Sequence, residues 1–417
     1  MPHAHSGIEE SRWLLSPGPL ASHVRGFSAE LSSLGHARGT VIHYCAGARH
    51  FAEWLQRRGI PLDTVDERTI QAFSRHRCDC LGARERRPLQ FQYVNRVRRF
   101  VDFLKKKGMV PLPARKPPCR EDERIAVFLE WWRFHRGITA MTAKSYGKCL
   151  KCILPALGTD PGRYNAASIR RAMITVAAEH APRHSQNIAS VLRCYLRYLS
   201  ANGLCNSSLA DAVPRPVARR KLSSLPRYIP ADAVNALIDS FDVSNPVGIR
   251  NRAILLLLAR LALRPGDVVA MRIEDVSWTE GTLRVDGKGR REVRLPLPQD
   301  AGDALLTYLG GARPPVVNEG RIFLRSFAPY RPLKDGRCVS CIVSRAVRKL
   351  GLAGVGVRGA SLLRHSAATH MLRGGATLEA VGAVLRHRSP DTTAIYAKVD
   401  VAMLRAVAQP WPGGARC

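Results

Sequence analysis

Residues 362–396 read LLRHSAATHMLRGGATLEAVGAVLRHRSPDTTAIY. Apolar residues recur at helical spacing from Leu362 to Arg373, and Gly374-Gly375 then stops the pattern. A second short helix is predicted over Leu378–Leu385, a break at His387-Arg388-Ser389, and a third helix over Asp391–Lys398. Two arginine–histidine pairs and a tyrosine thus fall on, or just after, a string of short helices. Upstream, Ile249–Ala262 reads as a helix whose apolar face is broken by Arg250, Arg252 and Arg260, and Val339–Leu350 as another. Between them, residues 282–297, TLRVDGKGRREVRLPL, alternate apolar and polar on both sides of Gly287-Lys288-Gly289. That pattern predicts an antiparallel hairpin with a glycine-containing turn.

The remainder of the chain shares the basic, helical character. Its 417 residues carry 65 Lys+Arg against 33 Asp+Glu, a formal charge of +32. A surplus of that size predicts a polyanionic partner, nucleic acid or an anionic membrane surface. The longest apolar stretch, Ala253 to Ala259, ends at Arg260 and falls far short of the ~18 residues a spanning helix needs. The first residues, MPHAHSGIEESRW, lack the basic-then-apolar order of a signal peptide. A cytoplasmic nucleic-acid-binding protein, without membrane attachment, is the expectation. Eleven cysteines include two CxxC pairs, Cys149/Cys152 and Cys338/Cys341. They lie far apart in sequence, so free thiols are expected and no metal site.

Two basic, proline-rich stretches, VPLPARKPP at 110–118 and VPRPVARRKLSSLP at 213–226, divide the chain. The expected domains are residues 1–112, 119–212 and 225–417. The first two read as imperfect copies. Thr40-x-x-x-Tyr44 matches Thr142-x-x-x-Tyr146, Thr69-Ile70 matches Ser168-Ile169, and Phe103-Leu104 with Gly108 matches Tyr198-Leu199 with Gly203. Each copy closes on an amphipathic helix with a glycine suited to a C-cap.

Breaking a phosphodiester without a metal requires a nucleophile, cationic donors around the phosphate, and an acid for the leaving oxygen. Arginine offers a planar fork that stays charged, tyrosine a phenolate that forms a stable ester, and lysine a proton. The third region supplies these types in order: LALRPGDV at 261–268, Gly287-Lys288-Gly289, LLRH at 362–365, LRH at 385–387 and TTAIY at 392–396. In this it resembles the catalytic domain of the tyrosine recombinases, the phage-integrase family, over about residues 225 to 410. The resemblance implies a mainly α fold with a small antiparallel β-sheet, in which SAM-like helical core-binding domain(s) precede the catalytic domain. The first helical region would be an additional DNA-binding or spacing module. It further implies that Arg264 and Arg364 clamp the scissile phosphate, with Asp267 supporting the site. Lys288 would protonate the leaving 5′ oxygen, His387 would donate to the phosphate, and Tyr396 would form a 3′-phosphotyrosyl link. No cofactor and no metal are implied. The partners implied are double-stranded DNA and a homo- or hetero-tetramer on two DNA sites, with the tail from Val401 docking on a neighbour. The service would be integration, excision or transposition of a mobile element. The run Arg219-Arg220-Lys221, in a linker that crosses the duplex in that family, is expected to contact phosphates.

One position departs from the family pattern: where a histidine stands three residues before the second arginine, this chain has Ser361. Serine hydrogen-bonds but does not act as an acid or base near neutral pH. His365 follows Arg364 directly and stands about 100° round the helix, so it is expected to point elsewhere. Ser361 favours a rival reading, a non-catalytic or weakly active DNA-binding accessory protein. A second rival is a type IB topoisomerase, which shares the phosphotyrosine chemistry.

Overall fold

The structure is a computed structural model, described here over residues 20–76, 91–112, 119–215, 226–286, 292–316, 319–352, 359–387, 389–398 and 404. The chain divides into two compact units, one of residues 114–224 and one of residues 1–113 with 225–417. Helices α1 (Ala21–Ser33), α2 (Arg38–Arg57), α3 (Glu67–Arg75) and α4 (Phe91–Lys106) enclose a core around Phe27, Phe51, Phe73 and Phe100. Each of these rings is at most 1% exposed, and burying a phenylalanine contributes ~1.5–3 kcal/mol. The unit of residues 114–224 has its own core around Phe128, Leu150, Ile153 and Tyr195. It is built from α5 (Arg120–Arg136), α6 (Ala140–Leu157), α7 (Ala166–Glu179), α8 (Pro182–Ala201) and the short α9 (Leu209–Ala212).

The paired sequence motifs fall on matching local structures. Asp66 accepts from Thr69 N while Asp66 N donates to the Thr69 hydroxyl; Asn165 and Ser168 repeat this reciprocal cap at the start of α7. The next residue in each copy, Ile70 or Ile169, is buried in its own core. A 3-10 turn precedes each cap, at Leu62–Thr64 and at Pro161–Arg163. At the far ends, Gly108 and Gly203 sit at φ 73° and 70°, where a side chain would be strained. The amides that follow, Met109 N and Leu204 N, return to the carbonyls of Leu104 and Leu199.

The third region contains α10 (Ala231–Asp239), α11 (Pro246–Arg260), α12 (Pro265–Ala270), α13 (Gln299–Thr307), α14 (Gly336–Lys349), α15 (Ser361–Arg373), α16 (Leu378–Val384) and α17 (Pro390–Ala397). Helix α11 is buried on every side from Ala253 to Leu258, which explains its unbroken apolar run. Arg250 lies in that helix and is buried too. It donates to Leu324 O at 2.9 Å and to Asn251 Oδ1 at 2.9 and 3.1 Å, so its donors are spent locally. A three-stranded antiparallel sheet runs in the order β1 (Val276–Ser277), β2 (Thr282–Asp286), β3 (Glu292–Pro296). Leu283 faces Leu295 and Val285 faces Val293 across the expected hairpin. The residues of its turn, Lys288 among them, lie outside the described residues. So do Arg219, Arg220 and Lys221, and all of the tail from Val401 except Leu404. None of the described helices is long and apolar enough to cross a membrane.

Candidate active site

Three chain breaks, each with a local cause, meet at one place. The first is the bend between α11 and α12. Ala262 takes a left-handed conformation, φ 48°, and Arg264 then leads into α12 with Pro265 at the first helical position. Asp267 closes this turn by accepting from Arg264 N at 3.0 Å. The second is the end of α16, where Arg386 takes φ 53° and His387 N returns to Gly382 O. The third is α17, opened by Ser389, whose hydroxyl accepts from Asp391 N, and by Pro390. Helix α15 passes beside all three.

Arg364, on α15, is buried and ties two of these breaks together. Its guanidinium donates to Ala262 O and to Leu385 O. Arg264 comes from the other side and donates to Leu385 O at 3.3 Å and Arg386 O at 2.9 Å. The carbonyls at the end of α16 therefore hold two of the arginines the sequence singled out. Asp267 is a third tie, accepting from Arg386 Nη2 at 2.5 Å. Burial, with Arg264 and Arg386 nearby, pulls the Arg364 guanidinium down to about 10. Even there it stays charged at neutral pH.

Tyr396 is 1% exposed and packs with Ala262, Ala367, Ala368, Leu372, Val381 and Leu385. Its hydroxyl lies 2.7 Å from Nδ1 of His365. The expectation that His365 points elsewhere is thus corrected. The 100° between Arg364 and His365 is real, but α17 packs against α15 and brings Tyr396 to His365, while Arg364 reaches the carbonyls of Ala262 and Leu385. Burial raises the Tyr396 phenol above its ordinary value, and Arg364 opposes that rise. Burial, and then Arg364, lowers His365, so its imidazole is neutral near pH 7 and able to take a proton.

His387 stacks on Tyr396, with ring centroids 6.5 Å apart and planes 12° from parallel. Its Nδ1 bonds the Thr393 hydroxyl at 2.8 Å. Burial, with Arg364, Arg264 and His365 close by, pushes it down to about 4. Ser361 opens α15 and is exposed.

The structure brings Arg264, Asp267, Arg364, His387 and Tyr396 together, and adds His365 and Arg386, which the sequence reading left out. Their signal was present as the histidine of LLRH and the arginine of LRH, but their contacts depend on residues 31 and 119 positions away. A cluster of guanidiniums with one carboxylate is a site for an anion, and the Tyr396 phenol has a proton acceptor within hydrogen-bond reach in His365 Nδ1. Elsewhere, the eight described cysteines are free. Cys152, His180 and His184 place ligand atoms within 4.8 Å of one another. A closed zinc site takes four such donors, and we assign the trio no metal.

The phage integrase family model matches residues 227–403. The chain is 34% identical over 407 residues to an inferred integrase/recombinase, y4rA of Sinorhizobium fredii, covering 96% of each chain. It is 30% identical over 299 residues to the tyrosine recombinase XerD of Xanthomonas campestris pv. campestris, covering 68% of this chain and 90% of that one. Among solved structures, the XerH site-specific recombinase bound to a palindromic difH substrate, in a post-cleavage complex, aligns at a TM-score of 0.54 and 18% identity. That alignment covers 72% of this chain and 99% of XerH. A lambda integrase dimer bound to a COC′ core site aligns at 0.51 and 19%, over 66% and 94%. These two alignments establish likeness of fold. With the extended identity to sequence relatives, they lead to one conclusion: the chain belongs to the phage integrase family and is a tyrosine-type site-specific recombinase.

Proposed function

We propose that Tyr396 attacks a DNA phosphodiester held by Arg264, Arg364 and His387. The observation that carries this reading is the phenol hydroxyl 2.7 Å from His365 Nδ1, within a ring of guanidiniums. As Oη bonds to phosphorus, His365 takes the phenolic proton. The bond from phosphorus to the 5′ oxygen breaks, and Lys288 gives that oxygen a proton. The products are a 3′-phosphotyrosyl ester and a free 5′ hydroxyl. Attack by a 5′ hydroxyl from another strand reverses every step and completes the exchange. Asp267 holds the turn that carries Arg264. In this reading His365 supplies the proton carrier that Ser361 cannot.

The substrate we infer is double-stranded DNA, in the cytoplasm, at a specific site that moves a mobile element by integration, excision or transposition. The charge of +32 supports a polyanionic partner. We further propose a tetramer on two DNA sites. A lambda integrase tetramer bound to a Holliday junction aligns with this fold at a TM-score of 0.50 and 19% identity, over 64% of this chain and 77% of that one. Arg219, Arg220 and Lys221 are proposed phosphate contacts. Neither rival reading is favoured, since the sequence relatives are recombinases and a base candidate stands beside the nucleophile.

The test is covalent capture from a library of nicked suicide duplexes with randomised sequence. Nicking lets the short strand diffuse away after cleavage and traps the ester. Wild type is expected to accumulate a protein–DNA adduct on a subset of sequences, and Tyr396→Phe to bind those sequences without forming it. Tight binding with no adduct in either would return the accessory reading.

A further inference from the structure

Arg386 has no role in the chemistry described so far, yet the chain bends to place it. Its backbone lies at φ 53°, a region that a residue with a Cβ occupies at a cost. Its side chain is 4% exposed, although it stands at the end of a short helix. One nitrogen, Nη2, is spent on Asp267 at 2.5 Å. The other two, Nε and Nη1, are buried with no hydrogen-bond partner, and so is Nη1 of Arg264. Buried polar side-chain atoms mostly have a hydrogen-bond partner, and a guanidinium carries five donors to satisfy. Here three are open within one cluster. The charge count agrees. Arg264, Arg364 and Arg386 bring three positive charges together, and Asp267 is the carboxylate paired with the cluster. Two positive charges are left for an anion to meet.

We propose that Arg386 is a third arginine on the scissile phosphate, donating from Nη1 to a non-bridging oxygen. It adds a donor at a site where Ser361 stands in place of a histidine. Asp267 takes Nη2 and fixes the fork, while the Arg386 carbonyl accepts from Arg264 and sets the distance between the two cations. The guanidinium acts on the charge that develops at phosphorus. This rests on the reading of Tyr396 as the nucleophile at a phosphodiester.

The experiment uses the full chain and a nicked duplex recovered from the randomised library by covalent capture on wild type. Single-turnover cleavage is measured for wild type, Arg386→Gly and Arg386→Met. Each is run on the phosphodiester and on the same duplex with a methylphosphonate at the scissile position, which removes one charged oxygen. Glycine is included because it relieves the positive φ, so loss of activity in that variant is not backbone strain. The expected result is cleavage about 10²-fold slower on the phosphodiester in both variants. On the methylphosphonate the deficit is expected to shrink at least tenfold. The ratio of the two substrates is taken within each variant, so a partly unfolded sample does not change it. Wild-type rates in Arg386→Gly, or an equal deficit on both substrates, would overturn the proposal and leave Arg386 as a structural partner of Asp267. No adduct with wild type on any duplex would overturn the nucleophile reading and this inference with it.

Discussion

At the scale of single residues, the site divides into groups the sequence exposed and groups it hid. Arg264, Arg364, His387 and Tyr396 were singled out because arginine and tyrosine suit phosphoryl transfer and because the ordered motifs resemble those of the family. His365 was hidden because an angle on a helical wheel says nothing about which neighbour packs there. Arg386 was hidden because an arginine in a basic run reads as solvated, and its burial depends on Asp267, 119 residues upstream. If His365 is the proton acceptor, His365→Ala should slow single-turnover cleavage by about 10²–10⁴-fold while DNA affinity stays near that of wild type. Loss of affinity with an unchanged rate would assign it to binding instead. His387 also makes a prediction about acid. It is pushed down to about 4 by burial and its arginine neighbours, and His50, on α2, is pushed down to about 4 by burial and by His76. In the unfolded chain each takes its proton near pH 6.5. Between those values the unfolded state binds more protons, so stability is full above about pH 6.5 and is lost as pH falls towards 4. Thermal melts of the DNA-free protein should show the midpoint falling across that window. The slope should be shallower in a His50→Gln, His387→Gln double variant, and equal slopes in the two proteins would refute the assignment.

At the scale of elements, the helices around the site follow from periodicity and breakers. The expected Leu362–Arg373 is observed as Ser361–Arg373, and Asp391–Lys398 as Pro390–Ala397. The hairpin was legible from its alternation, while the two-residue strand β1 was not, being too short to show any. The matched capping boxes of α3 and α7 were foreshadowed only by Thr69-Ile70 and Ser168-Ile169, without the acidic and amide partners that complete them. What periodicity does not reveal is closeness between helices. Gly382, on α16, faces α17 so tightly that a Cβ there would lie 3.0 Å from the Thr393 hydroxyl. That hydroxyl seats His387. Gly382→Ala gains helix propensity of about 1 kcal/mol but must push Thr393 aside. The expected outcome is a melting temperature within a few degrees of wild type and cleavage slowed about tenfold. Unchanged cleavage would show that Thr393 does not govern the position of His387.

At the scale of the whole molecule, two helical cores and a mixed core are threaded on a chain with a charge of +32. Composition alone made a polyanionic partner legible, but not the compact unit that joins residues 1–113 with 225–417, since no sequence pattern reports contacts over that separation. A surface this basic should bind DNA largely through phosphate contacts. For Tyr396→Phe, which binds without reacting, log affinity should fall with log salt with a slope of about −6 or steeper. A slope near −2 would mean that most of the surplus charge faces away from DNA. The central claim, that Tyr396 carries the broken strand, is tested most directly by digesting the trapped adduct with protease and nuclease and sequencing the peptides by mass spectrometry. The account predicts a nucleotide attached through its 3′ phosphate to the phenolic oxygen of Tyr396. A nucleotide on any other residue, or attachment through a 5′ phosphate, would contradict it.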